Sequence, residues 1–152
     1  MPEAAELDRY ASLRLENQLC FPLYAASREI IRLYRPHLDA LDLTYTQYIT
    51  MMVLWEKREI SVKLLGQRLY LDGGTLTPLL KSLEAKGFVT RTRSEADERV
   101  VFVGLTEEGL ALQDKALAVP TEMRACLRLT EDEAATLYKL LYKVLADEKG
   151  IG

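Results

Sequence analysis

The chain has 152 residues, 49% apolar and 28% charged, which suits one globular domain with material for a core. A formal net charge of −3 argues against indiscriminate binding to nucleic acid, and neither a signal-peptide pattern nor an apolar run near the roughly 18 residues of a membrane span occurs, so a cytoplasmic location without a membrane partner is expected. Two cysteines far apart form neither a disulfide framework nor a zinc pattern, and the single His37 has no companion at ligand spacing, so no metal and no cofactor is expected.

Residues 13–38 read as one long or kinked amphipathic helix. On it Cys20, Tyr24, Ser27, Ile31 and Tyr34 follow i, i+4, i+7, i+11 and i+14 and share one stripe. By pattern alone such a stripe is core, since free Cys is often buried and Tyr packs well. Two details pull the other way. Asn17 as a cap puts Cys20 at N3, where free N–H groups and the helix dipole favour a thiolate, and Pro22 then falls near N5 and denies the Gln18 carbonyl its partner. With Ser12 as the cap, Pro22 becomes a mid-helix kink instead, so both choices leave irregular backbone beside the thiol. Further on, Thr44-Tyr45-Thr46-Gln47 is a capping box that opens a helix reaching about Lys57.

The next stretch has the layout of a winged helix-turn-helix. Ser61 caps a short helix over 62–69, whose Leu64, Leu65 and Leu69 face a core; Asp72-Gly73-Gly74 is turn chemistry, with glycines that accept positive φ. A second helix over 75–86 carries Leu76, Leu79, Leu80 and Leu83 at helical spacing, with Pro78 in its first turn and Gly87 as its C′ residue. A hairpin follows, with strands over 88–93 and 100–103 and a polar, flexible tip over 94–99. In this arrangement the second helix enters the major groove and the wing reaches a neighbouring groove. Between residues 57 and 99 nine basic residues face six acidic ones, a local +3 against −6 for the remainder, so the basic face is confined to this segment; the plain alternative is that these cations only solvate a small domain. Thr75, Thr77 and Lys81 beside Pro78 are placed to meet bases and phosphates, and Gly73 and Gly74 let the backbone approach closely. Arg99 is the minor-groove probe, oriented by Asp97, and Arg91 and Arg93 serve phosphates.

Downstream, Thr106 caps a helix with Glu107 and Glu108 in its first turn, Pro120 interrupts it, and Thr130-Glu131-Asp132-Glu133 is a second capping box. The last helix carries Leu137, Leu140, Leu141, Val144 and Leu145. Terminal helices that outlast a small winged domain need somewhere to bury these faces, and a twofold homodimer matched to a pseudo-palindromic double-stranded DNA site is the economical solution. The expected architecture is mainly α with a small β-hairpin wing: one domain over 1–152, with dimerisation helices at 8–42 and 107–148 around a DNA-reading winged helix-turn-helix at 43–106.

Several stretches resemble the organic-hydroperoxide-sensing, peroxide-resistance repressors of the MarR family. They are Leu15-Glu16-Asn17-Gln18-Leu19-Cys20-Phe21, Leu43-Thr44-Tyr45-Thr46-Gln47-Tyr48, the run from Leu69 through Asp72-Gly73-Gly74 to Leu80, and Arg93-Ser94-Glu95-Ala96-Asp97-Glu98-Arg99. The likeness runs from about Leu15 to Pro120 and weakens beyond. It implies a homodimeric repressor, not an enzyme, in which oxidation of Cys20 by an organic hydroperoxide releases the operator of a peroxide-detoxifying gene. Tyr34 and Tyr45 would be the hydroxyl partners of the sulfur, with Tyr24 nearby and the apolar Leu19 and Phe21 suiting an organic peroxide. Helix geometry adds that fourteen steps separate Cys20 from Tyr34 by roughly 20 Å, so a Tyr34 hydroxyl at the sulfur comes from the other subunit. Two-cysteine members of that branch resolve the sulfenic acid with a C-terminal thiol of the other subunit, here Cys126, about a residue out of register; one-cysteine members borrow a small thiol, and Cys126 is then inert. Two other readings stand beside this one. A MarR-type repressor released by a small aromatic or phenolic ligand leaves Cys20 as core, and a thiol peroxidase needs a reductant interface and leaves the DNA-reading segment idle.

Overall fold

The computed structural model describes residues 9–146. By its contacts the chain divides into two units, one ending at Tyr34 and one beginning at Arg35. In the first, two 3-10 turns, Ala11–Leu13 and Leu15–Asn17, precede helix α1, Cys20–Asp39, which continues past the boundary. Side-chain amides hold the turns: Asn17 Nδ2 donates to the Ala11 carbonyl (2.7 Å) and Gln18 Nε2 to those of Ser12 (2.6 Å) and Arg14 (2.8 Å). Asn17 is therefore no helix cap, and neither is Ser12. Because α1 begins at Cys20, Pro22 is its third residue, where the missing N–H has no intrahelical partner to lose, and the expected backbone irregularity does not arise. Through Tyr34 none of the described residues is buried, so the Cys20 stripe is not a core stripe within one chain.

The second unit contains α2 (Tyr45–Lys57), β1 (Glu59–Ser61), α3 (Val62–Leu69), α4 (Gly73–Ala85), β2 (Val89–Arg93), β3 (Val101–Leu105), α5 (Glu107–Ala116), α6 (Val119–Cys126) and α7 (Glu131–Leu145). Both capping boxes form: the Thr44 hydroxyl accepts from the Gln47 N–H (3.3 Å) and that of Thr130 from the Glu133 N–H (3.2 Å), with the reciprocal side-chain bonds present. Ser61 and Thr106 cap α3 and α5 as expected. Gly87, at φ 83°, closes α4 with the paired bonds Gly87 N–H to Glu84 and Phe88 N–H to Leu83 that exhaust the last carbonyls. Pro120 falls in the first turn of α6, where it starts a helix as much as it stops one.

The sheet has the antiparallel order β1-β3-β2, with Ile60 and Arg91 flanking Val103. Strand β1 is absent from the sequence expectation; three residues carry no periodicity, and only the edge of β3 makes them a strand. A buried core joins α2 through Met51 and Leu54, α3 through Leu65, α4 through Leu76, Leu80 and Leu83, and the sheet through Val89 and Val103. Leu64 departs from expectation: its neighbour Leu65 takes the core position and Leu64 is exposed.

Candidate DNA interface and redox residues

Helix α4 starts two residues earlier than its periodicity suggests, because the Asp72 carboxylate accepts the Thr75 N–H (2.8 Å) and serves as its cap. That bond is the largest cause holding the Asp72 carboxyl below its ordinary range, with the Thr75 hydroxyl next. Gly73 and Gly74 consequently lie inside the helix and do not take positive φ; the left-handed residue of the turn is Tyr70, at φ 55°. Pro78 moves with the start and sits in the second turn, where it denies the Gly74 carbonyl a partner. Leu76, Leu79, Leu80 and Leu83 are buried, so α4 presents Gly73, Gly74, Thr75, Thr77, Pro78 and Lys81 on its exposed side. A Cβ at Gly73 would meet nothing within 4 Å, which leaves that backbone open to approach.

The wing is knitted rather than loose. Ser94 N–H donates to the Val100 carbonyl (2.8 Å), the Ser94 hydroxyl accepts from the Ala96 and Asp97 N–H groups, and Arg93 reaches the Glu98 carbonyl (2.8 Å). Asp97 holds Arg99 by Nε (3.1 Å) and Nη2 (3.2 Å) and also accepts its backbone N–H (3.0 Å). The Arg99 guanidinium in turn keeps the Asp97 carboxyl low, while the Arg99 side chain remains 89% exposed. Arg91 is differently placed. Its N–H and Nη2 both meet the Glu84 carboxylate (3.2 Å each), which ties β2 to α4. A cavity of about 440 Å³ lies between α4, the start of α3 and the wing, lined by Lys63, Thr77, Arg91 and Arg99 among others.

Of the redox candidates, Cys20 opens α1 and is exposed, and the Tyr24 hydroxyl one turn on accepts from Arg28 Nη1 (3.1 Å). Tyr34 lies on the same helix, roughly 20 Å from Cys20 at 1.5 Å per residue. In the second unit Tyr45 opens α2, half-buried, with its ring 6.5 Å from that of Tyr48; burial pushes its phenol pKa up. Cys126 is the exposed last residue of α6. Among the described residues no cluster of His, Cys, Asp or Glu could hold a metal, and no helix is long and apolar enough to cross a membrane.

Residues 32–116 match the family described as transcriptional regulator SarA/Rot. The chain is 45% identical over 138 residues to the organic hydroperoxide resistance transcriptional regulator of Bacillus subtilis, covering 91% of this chain and 94% of that protein. The chain belongs to the MarR/SarA family of winged-helix transcriptional regulators.

Solved structures of the family agree in fold. Reduced AbfR bound to DNA matches with a TM-score of 0.75 at 34% identity, covering 90% of this chain and 96% of that one; AbfR is a Staphylococcus epidermidis protein. The disulfide-formed AbfR matches at 0.61 and 34%, covering 92% and 95%. A mutant MarR of Escherichia coli matches at 0.65 and 32%, covering 85% and 97%. The chain is thus a DNA-binding regulator, and these relatives are regulators rather than enzymes.

Packing also brings together polar residues that no local pattern singles out. Gln47, treated only as half of a capping box, also donates from Nε2 to Ser82 Oγ (3.0 Å) and accepts from Lys86 Nζ (3.0 Å). Lys86 further reaches the Asp42 carbonyl (2.6 Å). Nothing in the local pattern signals a bond across 35 or 39 positions.

Proposed function

We propose that this regulator is a homodimeric repressor that binds a pseudo-palindromic operator when reduced and releases it when an organic hydroperoxide oxidises Cys20. The observation that carries the reading is the exposed Cys20 thiol at the first position of a 20-residue helix, in a chain closely similar to an organic hydroperoxide resistance regulator. There the sulfur stands exposed at the head of α1, open to an approaching peroxide. The thiolate sulfur attacks one peroxide oxygen, the O–O bond breaks, and the alkoxide leaves and takes up a proton as the alcohol. Sulfur is thereby oxidised by two electrons to sulfenic acid and the peroxide is reduced.

Tyr45 supports the thiolate as a donor: an ordinary phenol, with a pKa of about 10, is already protonated at neutral pH, and burial shifts Tyr45 further in that direction. The second donor in this reading is the partner subunit's Tyr34, supported by the roughly 20 Å that keep Tyr34 from Cys20 along one helix, and the redox centre then bears on subunit geometry. Dimerisation itself is supported by uncovered apolar faces: Phe21, Leu23, Tyr24 and Ile31 on α1 and Leu137, Leu140, Val144 and Leu145 on α7 are all exposed in the single chain. In this reading the expected dimerisation segments 8–42 and 107–148 flank a DNA-reading segment at 43–106; residues 8, 147 and 148 lie outside the described residues. On DNA, Thr75, Thr77 and Lys81 meet the major groove while Arg99, aimed by Asp97, probes the minor groove. The sulfenic acid is resolved by the partner subunit's Cys126, whose thiolate attacks the sulfur, forms the S–S bond and displaces hydroxide.

The test is operator binding before and after a stoichiometric organic hydroperoxide. Wild type loses affinity, Cys20→Ser keeps it, and Tyr34→Phe and Tyr45→Phe bind DNA yet respond more slowly. Dissociation of the Cys20→Ser protein by peroxide removes Cys20 from the mechanism.

A further inference from the structure

Two polar side chains are buried in the described core, Gln47 and Thr50. Thr50 spends its hydroxyl within its own helix, on the Thr46 carbonyl (2.8 Å). Gln47 does not. Its Oε1 accepts from the Thr44 N–H (3.1 Å) and from Lys86 Nζ (3.0 Å), and its Nε2 donates to Ser82 Oγ (3.0 Å). Ser82 lies in the last turn of α4 and Lys86 caps it, while the Lys86 ammonium also grips the turn ahead of α2 through the Asp42 carbonyl (2.6 Å) and carboxylate (3.6 Å). The first turn of α2 and the last turn of the DNA-reading helix are therefore clamped by one amide and one ammonium.

We propose that Gln47, with Ser82 and Lys86, is the positioning element that carries the redox state to the DNA-reading helix. The proposal rests on the sensor reading above, in which Tyr45 touches the sulfur. Tyr45 and Gln47 share the first turn of α2, so a displacement of Tyr45 moves the Gln47 backbone with it. A buried amide cannot give up its partners without leaving polar atoms unpaired in the core, so α4 must follow rather than part from it. The clamp makes the α2 start and the reading helix one body with two positions, which is what coupling a local chemical change to operator affinity requires.

Three variants and three readouts test this. The readouts are operator affinity of the reduced protein, the rate of Cys20 sulfenic acid formation with cumene hydroperoxide, and the ratio of oxidised to reduced dissociation constants, all on a duplex selected with the reduced wild type. Ser82→Ala with Lys86→Met removes the clamp but leaves the capping box. We expect this double variant to bind DNA when reduced and to oxidise at the wild-type rate, while its ratio falls by about tenfold or more. Gln47→Glu retains acceptors for the Thr44 N–H, Lys86 and the Ser82 hydroxyl, and so keeps the wild-type ratio; Gln47→Leu loses it. An unchanged ratio in the double variant overturns the proposal, whatever happens to its reduced affinity. If the wild type oxidises at Cys20 and still holds its operator, the sensor reading itself falls and this relay with it, and the wild-type arm distinguishes the two failures.

Discussion

Gly109→Ala is expected to destabilise the protein more than any exposed helical substitution. Gly109 lies in the first turn of α5, and a Cβ there would stand 2.2 Å from the Phe88 carbonyl oxygen and 2.9 Å from Leu105 Cδ1. Ordinary contact begins at 3.4 Å, so the helix must withdraw by about 1 Å. It is not free to do so. The Phe88 carbonyl accepts the Thr106 N–H (3.1 Å), the Thr106 hydroxyl donates to the Gly87 carbonyl (2.6 Å), and Trp55 Nε1 donates to the carbonyl of Gly109 itself (2.9 Å). Losing two of these at about 1 kcal/mol each, with about 1–3 kcal/mol of overpacking and less the roughly 1 kcal/mol by which a helix favours alanine over glycine, gives a loss of about 2–4 kcal/mol. That is a large share of the roughly 5–15 kcal/mol of a typical domain. Urea denaturation followed by circular dichroism measures it, as a midpoint lower by about 1–3 M. Gly74→Ala is the control: its nearest neighbour, Asp72 Oδ1, lies at 3.4 Å, and alanine in a helix is favoured over glycine by about 1 kcal/mol, so it should be neutral or stabilising. A loss below about 1 kcal/mol in Gly109→Ala would refute the reasoning, since α5 would then have room the geometry denies.

Arg99→Ala should weaken operator binding by about 5- to 150-fold at matched salt, the scale of one good groove contact, and unchanged affinity in a mobility-shift assay takes the wing out of the mechanism. Non-reducing electrophoresis after stoichiometric peroxide should show a covalent dimer that is lost in both Cys20→Ser and Cys126→Ser; a monomer carrying an added small thiol would contradict Cys126 as the resolving residue. Asp72 has a folded pKa depressed chiefly by the Thr75 N–H, so its cap contributes above the unfolded carboxylate value and is lost as pH falls through the folded one. Wild type should therefore exceed Asp72→Ala in stability at neutral pH, and the gap should begin to close only as pH falls below about 4; a gap that persists undiminished at still lower pH would show the cap is not ionic.

What was legible in the sequence is what local chemistry settles. The Thr44, Ser61, Thr106 and Thr130 caps and the Gly87 stop are short-range bonds between a side chain and the backbone a few positions away, so their residues announce them. The leucine periodicity of α4 and the β-forming run of β2 are likewise properties of one segment, and together they specify the winged helix-turn-helix. Tertiary structure decided the remainder, because the forces involved act between segments. Strand β1 exists because β3 offers it an edge. Helix α1 starts at Cys20 because Asn17 and Gln18 spend their amides on the preceding turns. Arg91, read from its alternation as a phosphate contact, is tied to Glu84, and Lys86, one more cation in a basic segment, is committed to Asp42 and Gln47. The residue types set how many charges a face can carry; only the packed chain shows which of them tie one element to another, as Arg91 and Lys86 do, and which, like Arg99 braced by Asp97 within the wing, stay exposed to solvent.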